Sequence, residues 1–266
     1  MSMPAAELKR LLLQRDIHML FQPIVNTATR CVLGYEALAR GPAHSPLHGA
    51  AALFATAEAE GCLDALEMLC REQACARFAA LRLPGKLFLN VSPMALTAPG
   101  HPQGETLRIL ERLRIDPRRV VIELSEHYPM QDVDLLARAT RHYSAMGFQI
   151  AIDDLGAGYS GLRLWSEIRP DYVKIDRHFV AGIDSDRIKR EFVRFIRDIA
   201  ARIHCHVIAE GIETAAELRM LEALGIRSLQ GYYLGRPQAA PDAVGGRLRQ
   251  ATAADADGLY GDSLTA

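Results

Sequence analysis

The chain has 266 residues, 49% hydrophobic and 24% charged, enough for one sizeable core and close to the size of a single closed α/β barrel. Its formal net charge of -1 and pI near 6.8 provide no overall field for a nucleic-acid backbone or an anionic membrane, so no DNA partner is expected and an anionic ligand has to be met locally. No apolar run reaches the ~20 residues of a membrane span, the five cysteines form no C-x-x-C pair, and the N-terminus lacks a basic and apolar leader, so a reducing cytoplasm is the expected setting.

The first apolar, β-branched run is HMLFQPIV (18–25), followed after the polar link NTATR by VLGYEALA (32–39). A link that short suits an antiparallel hairpin, because a parallel crossover needs a dozen or more residues. A long helical stretch over 51–81 leads to KLFLNV (86–91), GETLRILERL to VVIEL (120–124), and DVDLLARATRHYSAMG to QIAIDD (149–154). YVKID (172–176) follows. RIKREFVRFIRDIAARI precedes HVIAEG (206–211), and TAAELRMLEALG precedes SLQGYY (228–233). Eight strands alternating with amphipathic segments predict an α/β fold, a modified TIM (β/α)8 barrel with an irregular, antiparallel first pair, as one domain over 1–250. After Pro237 the chain reads as one last helix and then a poorly ordered tail, 251–266. The His204-Cys205-His206 cluster opens a strand, and two imidazoles with one thiol leave a tetrahedral zinc site incomplete.

Glu36, Asn90, Glu123, Asp153, Asp154, Lys174, Glu210 and Gln230 each stand in or at the end of an apolar strand, on seven different strands. In a barrel such ends converge on one rim, where active sites sit. Buried carboxylates without partners are costly, and four or five together stay ionised only if cations neutralise them. The donors are all oxygen, which favours Mg²⁺ or Mn²⁺ over zinc. Adjacent Asp153 and Asp154 allow one carboxylate to bridge two ions about 4 Å apart, the arrangement used for in-line phosphoryl displacement. Lys174 then places or acidifies the attacking water or stabilises charge on a phosphate oxygen. Glu210 either completes the second metal site or takes the proton from water, and Glu213 braces a neighbouring loop.

Gly156, Gly158 and Gly161 also spell G-x-G-x-x-G after an apolar run, with Asp176 at 20 residues beyond Gly156, as in a dinucleotide-binding turn. A pyrophosphate there would meet Asp153 and Asp154, so the glycines read instead as the backbone of a loop serving those acids.

The strings YEALAR, FLNVS, IELSE, IDDLGAGYSGL, DYVKID, IAEGIE and LQGYYLGRP, in this order between about Phe21 and Pro237, resemble the EAL family of cyclic di-GMP phosphodiesterases. The resemblance implies an enzyme on a modified TIM barrel that uses two Mg²⁺ or Mn²⁺ ions to open cyclic di-GMP to linear pGpG. It places Glu36, Asn90, Glu123 and Asp153 on one ion and Asp153, Asp154 and Glu210 around the other. Lys174 matches a water-contacting lysine, and Gln22, Arg40 and Gln230 match substrate contacts. Glu126 supports the loop that orders the second site, near a homodimer contact. Fused sensory domains or a regulatory partner are also implied. The family's usual DDFG and GYSS become Leu155 and Gly161 here, which leaves a catalytically silent cyclic di-GMP receptor as the alternative.

Overall fold

The computed structural model describes residues 3–97, 104–125, 133–156 and 161–241. Helix α1 (Met3–Gln14) precedes a hairpin of β1 (His18–Asn26) and β2 (Cys31–Arg40). Then come α2 (Ala50–Ala59), α3 (Leu63–Ala80), β3 (Lys86–Asn90), α4 (Pro93–Thr97), α5 (Glu105–Leu113) and β4 (Val120–Ser125). The second half runs α6 (Val133–Ala145), β5 (Gln149–Leu155), α7 (Gly161–Ile168), β6 (Tyr172–Ile175), α8 (Arg177–Val180), α9 (Arg187–Arg202), β7 (His206–Ala209), α10 (Ala215–Ala223) and β8 (Ser228–Leu229).

The strands close into a barrel in chain order. Strand β1 is antiparallel to both β2 and β8, and the other neighbouring pairs are parallel. The expected antiparallel first pair is therefore present. The helical stretch expected over 51–81 is two helices, because Gly61 turns the chain at φ +66° between them. Strands β7 and β8 are shorter than read, so Glu210 and Gln230 stand just beyond their ends. Helix α1 had no counterpart in the sequence reading, and the last helix and tail lie outside the described residues.

Two apolar layers hold the barrel. The larger one lies between strands and helices and includes Phe21, Tyr35, Phe78, Ile122, Trp165 and Leu221. The smaller one fills the barrel interior with Ile24, Phe88, Val121, Ala151, Tyr172 and Ile208. Side chains on one strand face recur every second residue. Asn90, Glu123, Asp153, Lys174 and Glu210 each follow an interior apolar residue at that spacing, so one polar layer sits above one apolar layer at the carboxyl ends. On the reversed β1 the order inverts, and Gln22 precedes Ile24. Among the described residues no helix is long and apolar enough to cross a membrane.

The β2–β3 contact is close. A Cβ on Gly34 would lie 2.4 Å from the Lys86 carbonyl oxygen and 2.9 Å from the Phe88 ring. Gly34→Ala is expected to destabilise by about 1–3 kcal/mol through overpacking, lowering Tm by several degrees. A thermal melt within about one degree of the wild type would show that the strands part freely there.

Candidate active site

Lys174 is fully buried, and its ammonium is the centre of the polar layer. Nζ lies 2.6 Å from Glu210 Oε1, 2.7 Å from Glu123 Oε1, 3.0 Å from Asp153 Oδ1 and 3.4 Å from Glu36 Oε2. An ammonium has three protons, so it cannot serve four carboxylates with aligned hydrogen bonds. Glu210 and Glu123 make its shortest contacts and Glu36 its longest, and buried Glu123 Oε2 has no partner. Two amides complete the girdle: Asn90 Nδ2 donates to Glu36 Oε1 at 2.9 Å, and Gln230 Nε2 donates to Glu36 Oε2 at 2.7 Å and to Gln22 Oε1 at 3.2 Å.

Consecutive strand residues point to opposite faces, so Asp153 and Asp154 should not both reach the site. The ladder between β5 and β6 shifts register between Ile152 and Leu155, and Asp154 takes a left-handed conformation with φ +56°. Aspartate tolerates that region better than most residues. The irregularity brings Asp154 round to the same side. Ligand oxygens of Glu36, Glu123 and Asp153 lie within 4.8 Å of one another, as do those of Asp153, Asp154 and Glu210. Asp153 belongs to both groups. All-oxygen donors, an unpartnered buried carboxylate oxygen and one cation for several acids together fit hard divalent ions.

Burial pushes the Glu123 and Glu210 carboxyls well above the usual carboxylate range, and Asp153 upward too, against the opposing pull of Lys174. For Glu36 burial acts the same way. There Lys174 and the two amides prevail, and its carboxyl falls below the usual value. Burial would discharge Lys174, but Asp153, Glu123, Glu210 and Glu36 hold its proton well above the ordinary lysine range.

Two cavities open onto this layer. One, of about 250 Å³, is bordered by Gln22, Glu36, Asp154, Glu210 and Gln230, with Arg177, Glu213 and Tyr232 at its side. The other, of about 360 Å³, has apolar walls of Ala37, Ala39, Ala51, Phe54 and Val91 and meets Asn90, Asp153 and Asp154. Glu67 lines it, a residue the sequence reading passed over. Its buried carboxylate on α3 accepts from Ser92 N at 3.2 Å, and burial raises its pKa. The available signal was an acid and a base, Glu67 and Arg71, one turn apart on the otherwise apolar face of Leu66 and Cys70.

Arg40 lies outside both cavities, with Nη1 donating to its neighbour's carbonyl at 2.7 Å. Glu213 pairs with Arg177 at 3.0 Å, and Glu217 Oε2 accepts from its backbone N–H. Glu126 and residues 157–160 of the glycine loop lie outside the described residues. Leu155 is buried in register with Ile175, and Gly156 abuts Phe179 so closely that a Cβ would sit 2.2 Å from the ring. The aliphatic side chain at 155 is thus packed in the core between strands and helices.

Fold and site together define a TIM-type (β/α)8 barrel with a carboxylate–lysine centre at its carboxyl rim. The chain belongs to the EAL domain family, whose profile matches residues 5–237. It is 32% identical over 221 residues to the Cyclic di-GMP phosphodiesterase TpdA of Vibrio parahaemolyticus, covering 82% of this chain and 37% of that protein. It is also similar to the crystal structure of a standalone versatile EAL protein from Vibrio cholerae in its c-di-GMP-bound form, with TM-score 0.76 and 32% identity over 84% of this chain and 92% of that one. Klebsiella pneumoniae BlrP1 in a manganese and cy-diGMP complex gives TM-score 0.77 and 29% identity, over 84% of this chain and 56% of that one. The chain spans 21 to 48% of the length of five curated relatives.

Divalent ions bind ionised carboxylates, whereas Glu123, Glu210 and Asp153 retain protons to raised pH in the metal-free fold. The stability these raised groups contribute is present below their unfolded pKa and is lost as pH rises through the folded one. Metal affinity runs the opposite way. The increase in Tm on adding Mn²⁺ to chelator-treated protein is therefore expected to be larger at about pH 8 than at about pH 5.5. An increment independent of pH would remove these carboxylates as ligands.

Proposed function

We propose that the chain is a metal-dependent phosphodiesterase that hydrolyses cyclic di-GMP to linear pGpG by in-line attack of water, in second-messenger signalling. The observation that carries the reading is the sharing of Asp153 by two carboxylate groups around one buried ammonium. Glu36, Asn90, Glu123 and Asp153 would hold one ion, and Asp153, Asp154 and Glu210 the other. A pair of Mg²⁺ or Mn²⁺ ions there supplies charge neutralisation and an acidified water.

Lys174 holds the acids in register and places a positive charge where negative charge develops on a phosphate oxygen. Glu210, mostly covered but bordering the cavity, is placed to accept the proton of the attacking water. Gln22 and Gln230 present amide groups to the substrate, and Arg40 joins them once its carbonyl contact is exchanged for a phosphate. Glu67, whose two oxygens share the Ser92 backbone N–H, borders a mostly apolar cavity and keeps acceptor capacity that suits the N–H edge of a guanine. Glu213 and Glu126 support the flanking loops.

We assign a cytoplasmic homodimer whose activity a regulatory protein or a fused sensory domain sets. The dimer reading is supported by Ile188, Phe192 and Phe195, exposed on one face of α9. Phe192 packs on Phe179, which touches Gly156 next to the aspartates, so that face is joined to the metal-site loop.

Incubation with cyclic di-GMP and Mg²⁺ or Mn²⁺, followed by nucleotide chromatography, is expected to yield pGpG. No linear product with either ion, despite binding of the nucleotide, would reduce the protein to a receptor. Glu36→Ala is expected to lower turnover by about 100-fold or more, since a lost ligand forfeits several kcal/mol of transition-state stabilisation. Retention of more than about 5% of the rate would remove Glu36 from the metal site.

A further inference from the structure

The cavity beside Glu210 has an uneven charge balance. Among the described residues that border it, Arg177 is the one cation, against five acids, Glu36, Asp154, Asp176, Glu210 and Glu213. Arg177 opens α8, directly after the strand that carries Lys174. Its stem is confined: Gly211, at φ +72°, has no room for a Cβ, which would meet Arg177 Cγ at 2.4 Å and Arg177 Cβ at 2.6 Å. The side chain therefore crosses the backbone immediately after Glu210.

Its head is held loosely. Nη2 pairs with Glu213 Oε1 at 3.0 Å, but the two side chains are 61% and 44% exposed, and ion pairs this wet contribute little. A confined stem with an exchangeable head suits a ligand that arrives from solvent. Exchange of the Glu213 carboxylate for a phosphate leaves the guanidinium paired with an anion through its two-donor fork. Exchange for a neutral base edge would break an ion pair without replacing it.

A cyclic dinucleotide carries two phosphodiesters, and only one of them reacts at the carboxylate cluster. We infer that Arg177 binds the phosphodiester that is not cleaved, and so selects substrates with two phosphates over single diesters. The inference deepens the phosphodiesterase reading and rests on it.

Steady-state kinetics in Mn²⁺ on cyclic di-GMP and on bis(4-nitrophenyl) phosphate, a single diester, test it. Arg177→Ala is expected to lower the ratio of kcat/KM for the cyclic dinucleotide over the single diester about 10-fold, through KM for the dinucleotide. Arg177→Lys, which keeps the charge and loses the fork, should fall between that variant and the wild type. A ratio within about 2-fold of wild type in both variants, or equal losses on both substrates, would overturn the assignment. If the wild type cleaves only the dinucleotide, a rise in KM supports the inference and a loss confined to kcat overturns it. Wild-type protein that cleaves neither ester defeats the phosphodiesterase reading itself, and the inference with it.

Discussion

One ammonium among four carboxylates, three of them buried, is the constraint on which the site depends. Lys174 lies within 3.4 Å of Glu36, Glu123, Asp153 and Glu210, each from a different strand or strand end. Without it, those acids would repel one another in a region with little water, and the barrel rim would spread or the acids would protonate. With it, they converge but remain short of positive charge. A site in that condition is stable enough to form and still leaves negative charge for cations to neutralise, which is what a metal-dependent centre requires.

The barrel makes the convergence possible through side-chain periodicity. A ring of apolar residues, from Ile24 and Phe88 to Tyr172 and Ile208, closes the interior, and the polar ring stands one repeat above it. Strand β1, antiparallel to both neighbours, contributes Gln22 to the same level while running the opposite way. The one place where simple alternation would fail is Asp153–Asp154. There the broken β5–β6 register and the left-handed backbone of Asp154 bring two consecutive carboxylates to one side.

Around this rigid centre the cavity borders are softer. The Arg177–Glu213 pair is half exposed, and the apolar cavity by Glu67 is walled by small side chains such as Ala37, Ala39 and Ala51. Charge is thus concentrated and fixed at the centre and exchangeable at the edge. That division suits chemistry at one phosphate and recognition of the remainder of the ligand.

Much of this was legible in the sequence. Apolar runs with period-two polar residues at their ends located the strands and predicted that Glu36, Asn90, Glu123, Asp153, Lys174 and Glu210 would meet, because strand direction and alternation are local properties. The short NTATR link likewise dictated the antiparallel hairpin. Glu67 was missed because an acid on a helix face reads as solvated until a strand end, here Ser92, is seen packed against it. The glycine spacing after Asp154 invited a nucleotide-turn reading, and the two aspartates before it argued otherwise. Tertiary structure alone decided that Lys174 faces four acids at once, and that Arg177 shares a cavity with Glu210 while Arg40 does not. The reason is that distances between strands, the bulge at Asp154 and the direction of long side chains depend on closure of the whole barrel, which no local run of residues encodes.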